Sequence, residues 1–478
     1  MKVFDKYKDL SMQAKAVIWF TGCSFLQKGI SFFTVPVFTR IMSSEQYGTY
    51  NVYLSWLQIL TIFTSLYLFN GAFDNAMIKY QDRRDEYSSS MIGIILVLNL
   101  IIIGFYAFTS GVWESGTGLD QTFIIFMFIE SFASSILSFW SARQRFEYKY
   151  ISLVVATIIK SLLNPIIGIV FLLNFDGRAI DRIIGGTLVD CVVIIPLVIG
   201  QIKKSRRLCV GEFWKYALGM AIPAVPHYLA GTILNQGDRV MIDKMIGKPE
   251  VAYYGLAYSV GMLVQIFATG ITAAITPWMY SNMKRKDIKG MCSRLDFLCV
   301  LLFFLIVFMI MISPELVKVF GTSEYESAKF VIPPVTASVF FVFLYGIYSL
   351  PEFYYERPKY LTIASIVSAV LNIFLNFIFL RIFGYIAAAY TTLVCYICYT
   401  IGHYIVGKRL LAKDGIFDEY LTRKLIITLA IMLFVILVMG NYLYMYNVIR
   451  CIVITLMVIL AYVYRKKLME EVLTLAKR

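Results

Sequence analysis

A chain of 478 residues that is 59% hydrophobic and only 15% charged cannot hide its apolar surface in a water-soluble core, since an average soluble domain is about a quarter charged. Apolar runs long enough to cross a bilayer recur from end to end, and no polar stretch between them is long enough to fold alone, which excludes a separate soluble domain and most familiar enzyme architectures. The net charge of +14 is a topology signal and a contact for anionic lipid heads, not a nucleic-acid footprint.

The runs predict an all-α polytopic membrane protein with about fourteen transmembrane helices. The first covers 15–38 and carries Lys28, with Arg40 at its end. It is too long for a cleaved signal peptide and lacks a small-residue cleavage site. The second, 48–70, carries Gln58 at mid-helix. A third over 88–110 carries no charged residue, and a fourth over 119–139 holds Glu130. The fifth, 150–173, contains Lys160 and Asn164-Pro165, where the proline frees a carbonyl and bends the helix. Asp190 lies toward the far end of the sixth, 183–202. The seventh, 213–234, has Pro223 and Pro226 and ends on Asp238-Arg239, and the eighth, 250–273, carries Gln265.

Spans nine to fourteen fall at 295–313, 330–350, 360–380, 382–406, 421–439 and 446–464. Cys395 and Cys398 in the twelfth have ligand-like spacing but no His, Asp or Glu near them in sequence, so they read as packing residues. The two histidines, His227 and His403, sit near helix ends in different halves, with no catalytic cluster around either. Arg450, in the last span, is placed to snorkel to the interface.

Alternate loops sort the positive charge. Of the 44 Lys and Arg, 9 fall in loops that lie outside if the N-terminus is inside, 3 lie within spans, and 32 lie in or at the rims of cytoplasmic segments. Both termini are therefore predicted to be cytoplasmic.

A repeat is written into the spacing. Tyr47-Gly48 and Gln58-Ile59 recur as Tyr254-Gly255 and Gln265-Ile266, and the same offset carries Phe146, Tyr148 and Gly177 onto Phe353, Tyr355 and Gly384. Six spans separate the partners, so equivalent helices run in the same direction and the repeat is parallel. The expected organisation is a six-helix lobe over 1–206, a second over 207–411 and two appended helices over 412–478. Facing repeats are the design of an alternating-access transporter.

Several stretches also resemble bacterial polysaccharide (O-antigen type) flippases, a branch of the multidrug/oligosaccharidyl-lipid/polysaccharide exporter superfamily. They are Phe32-Phe33-Thr34-Val35-Pro36, Thr39-Arg40-Ile41-Met42, Glu45-Gln46-Tyr47-Gly48, Ile222-Pro223, Pro226, Leu234-Asn235, Asp238-Arg239 and Tyr253-Tyr254-Gly255. The resemblance implies a two-lobed MATE-like fold in the bacterial cytoplasmic membrane. It also implies export of a polyprenyl-diphosphate-linked oligosaccharide to the outer leaflet, with membrane lipids around the protein and a glycan polymerase as a working partner. A peptidoglycan lipid precursor flippase and a multidrug exporter share most of these features. A membrane polymerase or acyltransferase would need a catalytic cluster that the sequence does not display.

Charge at mid-membrane costs about 2.5–3.5 kcal/mol, so ionisable residues within spans face a cavity or one another. Lys28 and Lys160, roughly 20 and 15 Å deep at ~1.5 Å per residue, are candidate contacts for a diphosphate; the alternative is a buried ion pair with Glu130 or Asp190. Glu130, with Asp190 as partner, is a candidate site for a coupling proton or sodium ion. Gln58 and Gln265 can hydrogen-bond sugar hydroxyls or link helices. Arg40, Asp238 and Arg239 either form an outer gate by pairing across the lobes or only punctuate helix ends. No cofactor or metal is expected.

Overall fold

The computed structural model describes residues 11–285, 288–357, 359–413 and 423–476, and its regular structure there is entirely helical. Each predicted span coincides with a helix or, for the eighth, a pair bent by 41°. Among the described residues ten helices are long and apolar enough to cross a membrane, or eleven if the bent pair is one span.

Two compact units divide the chain, 1–252 and 253–478. The first contains α1 (Met12–Ile41), α2 (Ser44–Ser65), a short α3 (Ala72–Lys79), α4 (Arg84–Thr117), α5 (Gln121–Phe146), α6 (Tyr150–Asn174), α7 (Ala179–Lys204) and α8 (Gly211–Met245). This division by packing differs from the 206/207 boundary expected from the repeat. Helix α8 packs on α2, α4 and α3, and Gln236 of α8 is joined to Ser55 and Gln58 of α2 by hydrogen bonds of 3.2 and 3.0 Å.

The boundary falls within α9 (Lys248–Gly261). The second unit continues with α10 (Leu263–Arg285), α11 (Ile288–Met311), short α12 (Ser313–Phe320), α13 (Ile332–Tyr348), short α14 (Leu350–Tyr354), α15 (Lys359–Phe383), α16 (Ala387–Ala412), α17 (Arg423–Leu443) and α18 (Asn447–Ala476). The last two helices are part of this unit's packing, because Leu429, Leu433 and Leu437 of α17 join the buried core formed by α10, α11 and α13.

The repeat is visible in the backbone. Helices α6 and α15 are both 25 residues long, and α7 and α16 both 26. The turns between them contain Gly177 (φ +72°) and Gly384 (φ +71°), a left-handed conformation that glycine adopts without steric cost. In lipid, helix association rests on close packing and polar contacts rather than on expelling water. Helices α6 and α7 illustrate this: a Cβ at Gly185 would sit 3.0 Å from the Gly168 backbone, so the two glycines let the helices touch along their backbones.

Pro165 in α6, and Pro223 and Pro226 in α8, lie inside their helices without ending them. The second span ends earlier than predicted, at Ser65, where Leu66 and Tyr67 take left-handed φ of 47° and 50°.

Candidate functional site

In the first unit three helices each contribute a stripe at helical spacing to one cavity of about 430 Å³. Helix α1 supplies Phe20, Ser24 and Gln27; α5 supplies Ser134, Ser138, Ser141 and Arg145; α6 supplies Leu153, Thr157 and Lys160. Positions three or four apart share a helix face, so every stripe points the same way along its helix. The turn after α2 completes the wall with Phe69 and Asn70. Its left-handed residues are held by Tyr67, which stacks on Tyr228 at 4.8 Å and lies 5.0 Å from Phe69. Backbone strain of about 1–3 kcal/mol per residue persists only where surrounding contacts enforce it, and here it aims Phe69 and Asn70 into the cavity.

Lys160 links the cavity to a polar network behind its wall. Its ammonium donates to Asp190 of α7 at 2.9 Å, with the lysine side chain 23% and the aspartate 2% exposed. Asn164, one turn along α6, donates to the other Asp190 oxygen at 3.2 Å and to the Gly186 carbonyl at 3.1 Å. Arg182 donates to the Asn164 side-chain oxygen at 2.7 Å and lies over the rings of Phe38 and Tyr50 at 4.9 and 5.2 Å. On the next helix, the buried Tyr53 hydroxyl donates to Glu130 at 2.7 Å, and Thr64 and Ser131 share a hydrogen bond of 2.5 Å. Four helices, α2, α5, α6 and α7, thus contribute polar groups to the span region, with the Phe38 ring of α1 against Arg182. Unpaired, each charge would be prohibitive there; arranged this way each has a partner.

Of the expected site residues, the structure brings Lys160 and Asp190 together and places Glu130 on Tyr53. Lys28 stands apart. It is exposed and does not line the cavity, while its neighbour Gln27 does, because one residue along a helix turns the side chain by about 100°. Gln58 accepts from Gln236, whose oxygen also accepts from Arg239 at 2.8 Å, so this amide links helices. Its repeat partner Gln265 donates to Thr269 on its own helix at 3.3 Å, and its oxygen has no hydrogen-bond partner. Arg40 donates to the Pro36 carbonyl at 2.8 Å, and Asp238 is fully buried.

Sequence reasoning missed Arg145, the serine row of α5, Gln27, Phe69 and Asn70. The Ser134-Ser138-Ser141-Arg145 spacing was a readable signal, as was Asn70-Gly71 as a turn dipeptide. One conspicuous motif proves to be architectural. Gln46 accepts the Ala179 backbone N–H at the start of α7 at 2.7 Å, and Gly48 admits the Lys248 carbonyl so closely that any side chain would collide.

The second unit is built differently. Its buried polar groups between α15 and α16 are neutral: Asn372 donates to Thr392 at 2.9 Å, Asn376 to Asn372 at 3.2 Å, and Thr391 to Asn376. A buried charge-bearing pair lies on α14 and α16, where His403 Nδ1 and Glu352 are 2.6 Å apart and each side chain is 1% exposed. Among the described residues no group of three His, Cys, Asp or Glu forms a metal site.

Residues 14–283 match the polysaccharide biosynthesis protein family, and residues 223–378 match the MatE family. Lsg locus putative protein 1 of Haemophilus influenzae is 22% identical over 75% of this chain and 88% of its own length. A probable low-salt glycan biosynthesis flippase of Haloferax volcanii is 20% identical over 78% and 79%. Among solved structures, the lipid II flippase MurJ in an inward closed conformation superposes with a TM-score of 0.67 at 18% identity, covering 94% of this chain and all of that one. An inward-facing multidrug MATE transporter gives 0.66 at 14% identity over 81% and 95%. The fold is MATE-like.

Proposed function

Because the chain belongs to the polysaccharide biosynthesis protein family, we propose that it carries a polyprenyl-diphosphate-linked oligosaccharide from the cytoplasmic to the outer leaflet of a bacterial cytoplasmic membrane by alternating access. The observation that carries this reading is the first-unit cavity, in which Lys160 and Arg145 are combined with rows of serine, threonine and side-chain amides. A diphosphate is a compact multivalent anion suited to two cations, and a flexible ammonium can hold it and let it go. Sugar hydroxyls find donors and acceptors in Ser134, Ser138, Ser141, Gln27 and Asn70, and Phe20 and Phe69 offer ring faces. With both termini cytoplasmic, Arg145 stands at the cytoplasmic end of α5 and Lys160 nearer mid-membrane, so the cavity loads from the cytoplasmic side.

Lys160 reaches the ligand by exchanging partners. Its contact with Asp190 offsets the charge of both while the cavity is empty, and an incoming phosphate competes for the ammonium. Asn164 remains on Asp190 after the exchange. The carboxylates then left with less compensation, Asp190 and Glu130, are positioned to take up a proton or a sodium ion. Two negative charges moving outward through an inside-negative potential gain about 4–5 kcal/mol per 100 mV, so a coupling cation adds to a drive that already exists. A glycan polymerase would act on the delivered substrate.

The test is deletion of the chain followed by re-expression of the wild type, Lys160→Ala and Arg145→Ala. Loss of surface polysaccharide with lipid-linked oligosaccharide accumulating in the inner leaflet is expected for the deletion and, with export normalised to protein level, for both variants. Absent or unextended glycan in the deletion would point to an enzyme, and normal export by both variants would remove the anion-anchor role.

A further inference from the structure

The loop between α11 and α13 and the turn between α17 and α18 are far apart in sequence, yet they meet at one end of the second unit. The Tyr444 hydroxyl donates to the Ile310 carbonyl at 2.8 Å across 134 residues. Arg450, expected to snorkel, is instead 3% exposed. Its guanidinium holds both Glu315 oxygens and donates to the Met311 carbonyl and to Asn447 at 2.9 Å each, while its Nε has no hydrogen-bond partner.

A cavity of about 370 Å³ opens against this arginine, lined also by Lys318, Thr322, Ser323, Glu326 and Lys329. Lys329 pairs with Glu326 at 2.8 Å. Lys318 is exposed and forms no ion pair among the described residues. Three cations, Lys318, Lys329 and Arg450, line the cavity with one carboxylate, Glu326, while Glu315 lies on Arg450 and Glu324 follows Ser323 in the chain; the Thr322 and Ser323 hydroxyls line it as well. Beside the lining residues Tyr444, Asn447 and Arg450 in the chain, Met445, Val448 and Ile449 are 78, 73 and 49% exposed. Both loops fall in segments that the charge sorting assigns outside.

We propose that this cavity is a headgroup site for an anionic phospholipid of the outer leaflet. The phosphodiester sits between Lys318 and Lys329 against the Arg450 guanidinium, and the acyl chains run down the exposed face of α18. A lining of three cations and one carboxylate suits a phosphodiester anion. The exposed apolar residues next to the lining favour a lipid over a free anion, and the positive lining favours an anionic over a zwitterionic headgroup. The inference stands independently of the transported substrate.

The test is native mass spectrometry of the purified full-length protein in detergent, titrated with phosphatidylglycerol, with phosphatidylcholine and with inorganic phosphate. Each surface-facing lysine contributes about 1 kcal/mol toward an anionic lipid, or roughly fivefold in affinity. The wild type is therefore expected to retain one phosphatidylglycerol in preference to phosphatidylcholine. The Lys318→Ala/Lys329→Ala double variant should bind it about 25-fold more weakly, and Lys318→Arg/Lys329→Arg should restore binding. Equal retention of the two lipids, unchanged binding by the alanine variant, or displacement of the lipid by inorganic phosphate at matched concentration would each overturn the assignment.

Discussion

The two units solve the problem of burying polar groups in lipid in opposite ways. The first pairs charged groups of α5, α6 and α7 with partners on α2, α6 and α7 behind a cavity wall, Lys160 with Asp190, Arg182 with Asn164, Glu130 with Tyr53. The second has a large apolar core, an Asn-Thr cluster without charge between α15 and α16, and, among its described residues, the pairs His403 with Glu352 and Arg450 with Glu315. A repeated backbone therefore does not imply a repeated site. Net charge that reaches a cavity wall suits exchange with a ligand, whereas polar groups satisfied inside a helix pair suit rigidity.

The sharpest way to break this contrast is Asp190→Ala, which leaves the Lys160 ammonium without its carboxylate. Removing one partner of a buried pair costs about 3–5 kcal/mol, and the exposure of Lys160 to the cavity places the expected loss near the low end, read as thermal unfolding in detergent. A Lys160→Met/Asp190→Leu double variant should recover stability and still fail to export glycan. Recovered export would make the pair a packing device and erase the difference between the units.

Next in size is Glu352→Ala in the second unit. Stranding buried His403 costs about 1–3 kcal/mol, while Glu352→Gln keeps an acceptor toward Nδ1 and should lose less. Export per folded molecule is expected to stay normal in both, which a surface-glycan assay normalised to protein level measures. Asn376→Ala should cost about 0.6–1.7 kcal/mol, the range for interhelical hydrogen bonds in membranes, again with normal export.

The smallest effect concerns pH. Burial alone would raise the Glu147 carboxyl, but hydrogen bonds from Lys149 (2.5 Å) and Arg143 (2.9 Å) outweigh it and hold the group below the usual glutamate range. A depressed folded-state value means the pair stabilises above the ordinary glutamate pKa of about 4.3 and loses that contribution as pH falls through the folded value. Unfolding followed from pH 6 to pH 3 should therefore show a decline in the first unit that Glu147→Gln removes.

The spans were legible because apolar runs of bilayer length have few alternatives, and the turn glycines Gly177 and Gly384 because a left-handed residue between packed helices leaves little choice. The site was legible in part. Lys160 and Asp190 stood out as charges where charge is costly, but the same logic selected Lys28, whose rotation about its helix axis turns it away from the cavity. Arg145 was counted among the topology charges at a helix end, and only the convergence of α1, α5 and α6 makes it a cavity residue. Glu352 lay in what the hydropathy pattern treated as a loop, so its burial beside His403 could not be anticipated.

By itself, the sequence determined the environment of the chain and its division into apolar helices, because hydropathy acts locally along the polymer, and the resemblance to flippases supplied the family. Tertiary structure decided which polar residues meet. Lys160 and Asp190 are 30 positions apart and Arg450 and Glu315 are 135, and such pairings depend on helix rotation and on backbone contacts such as Gly168 against Gly185, which no one-dimensional pattern records.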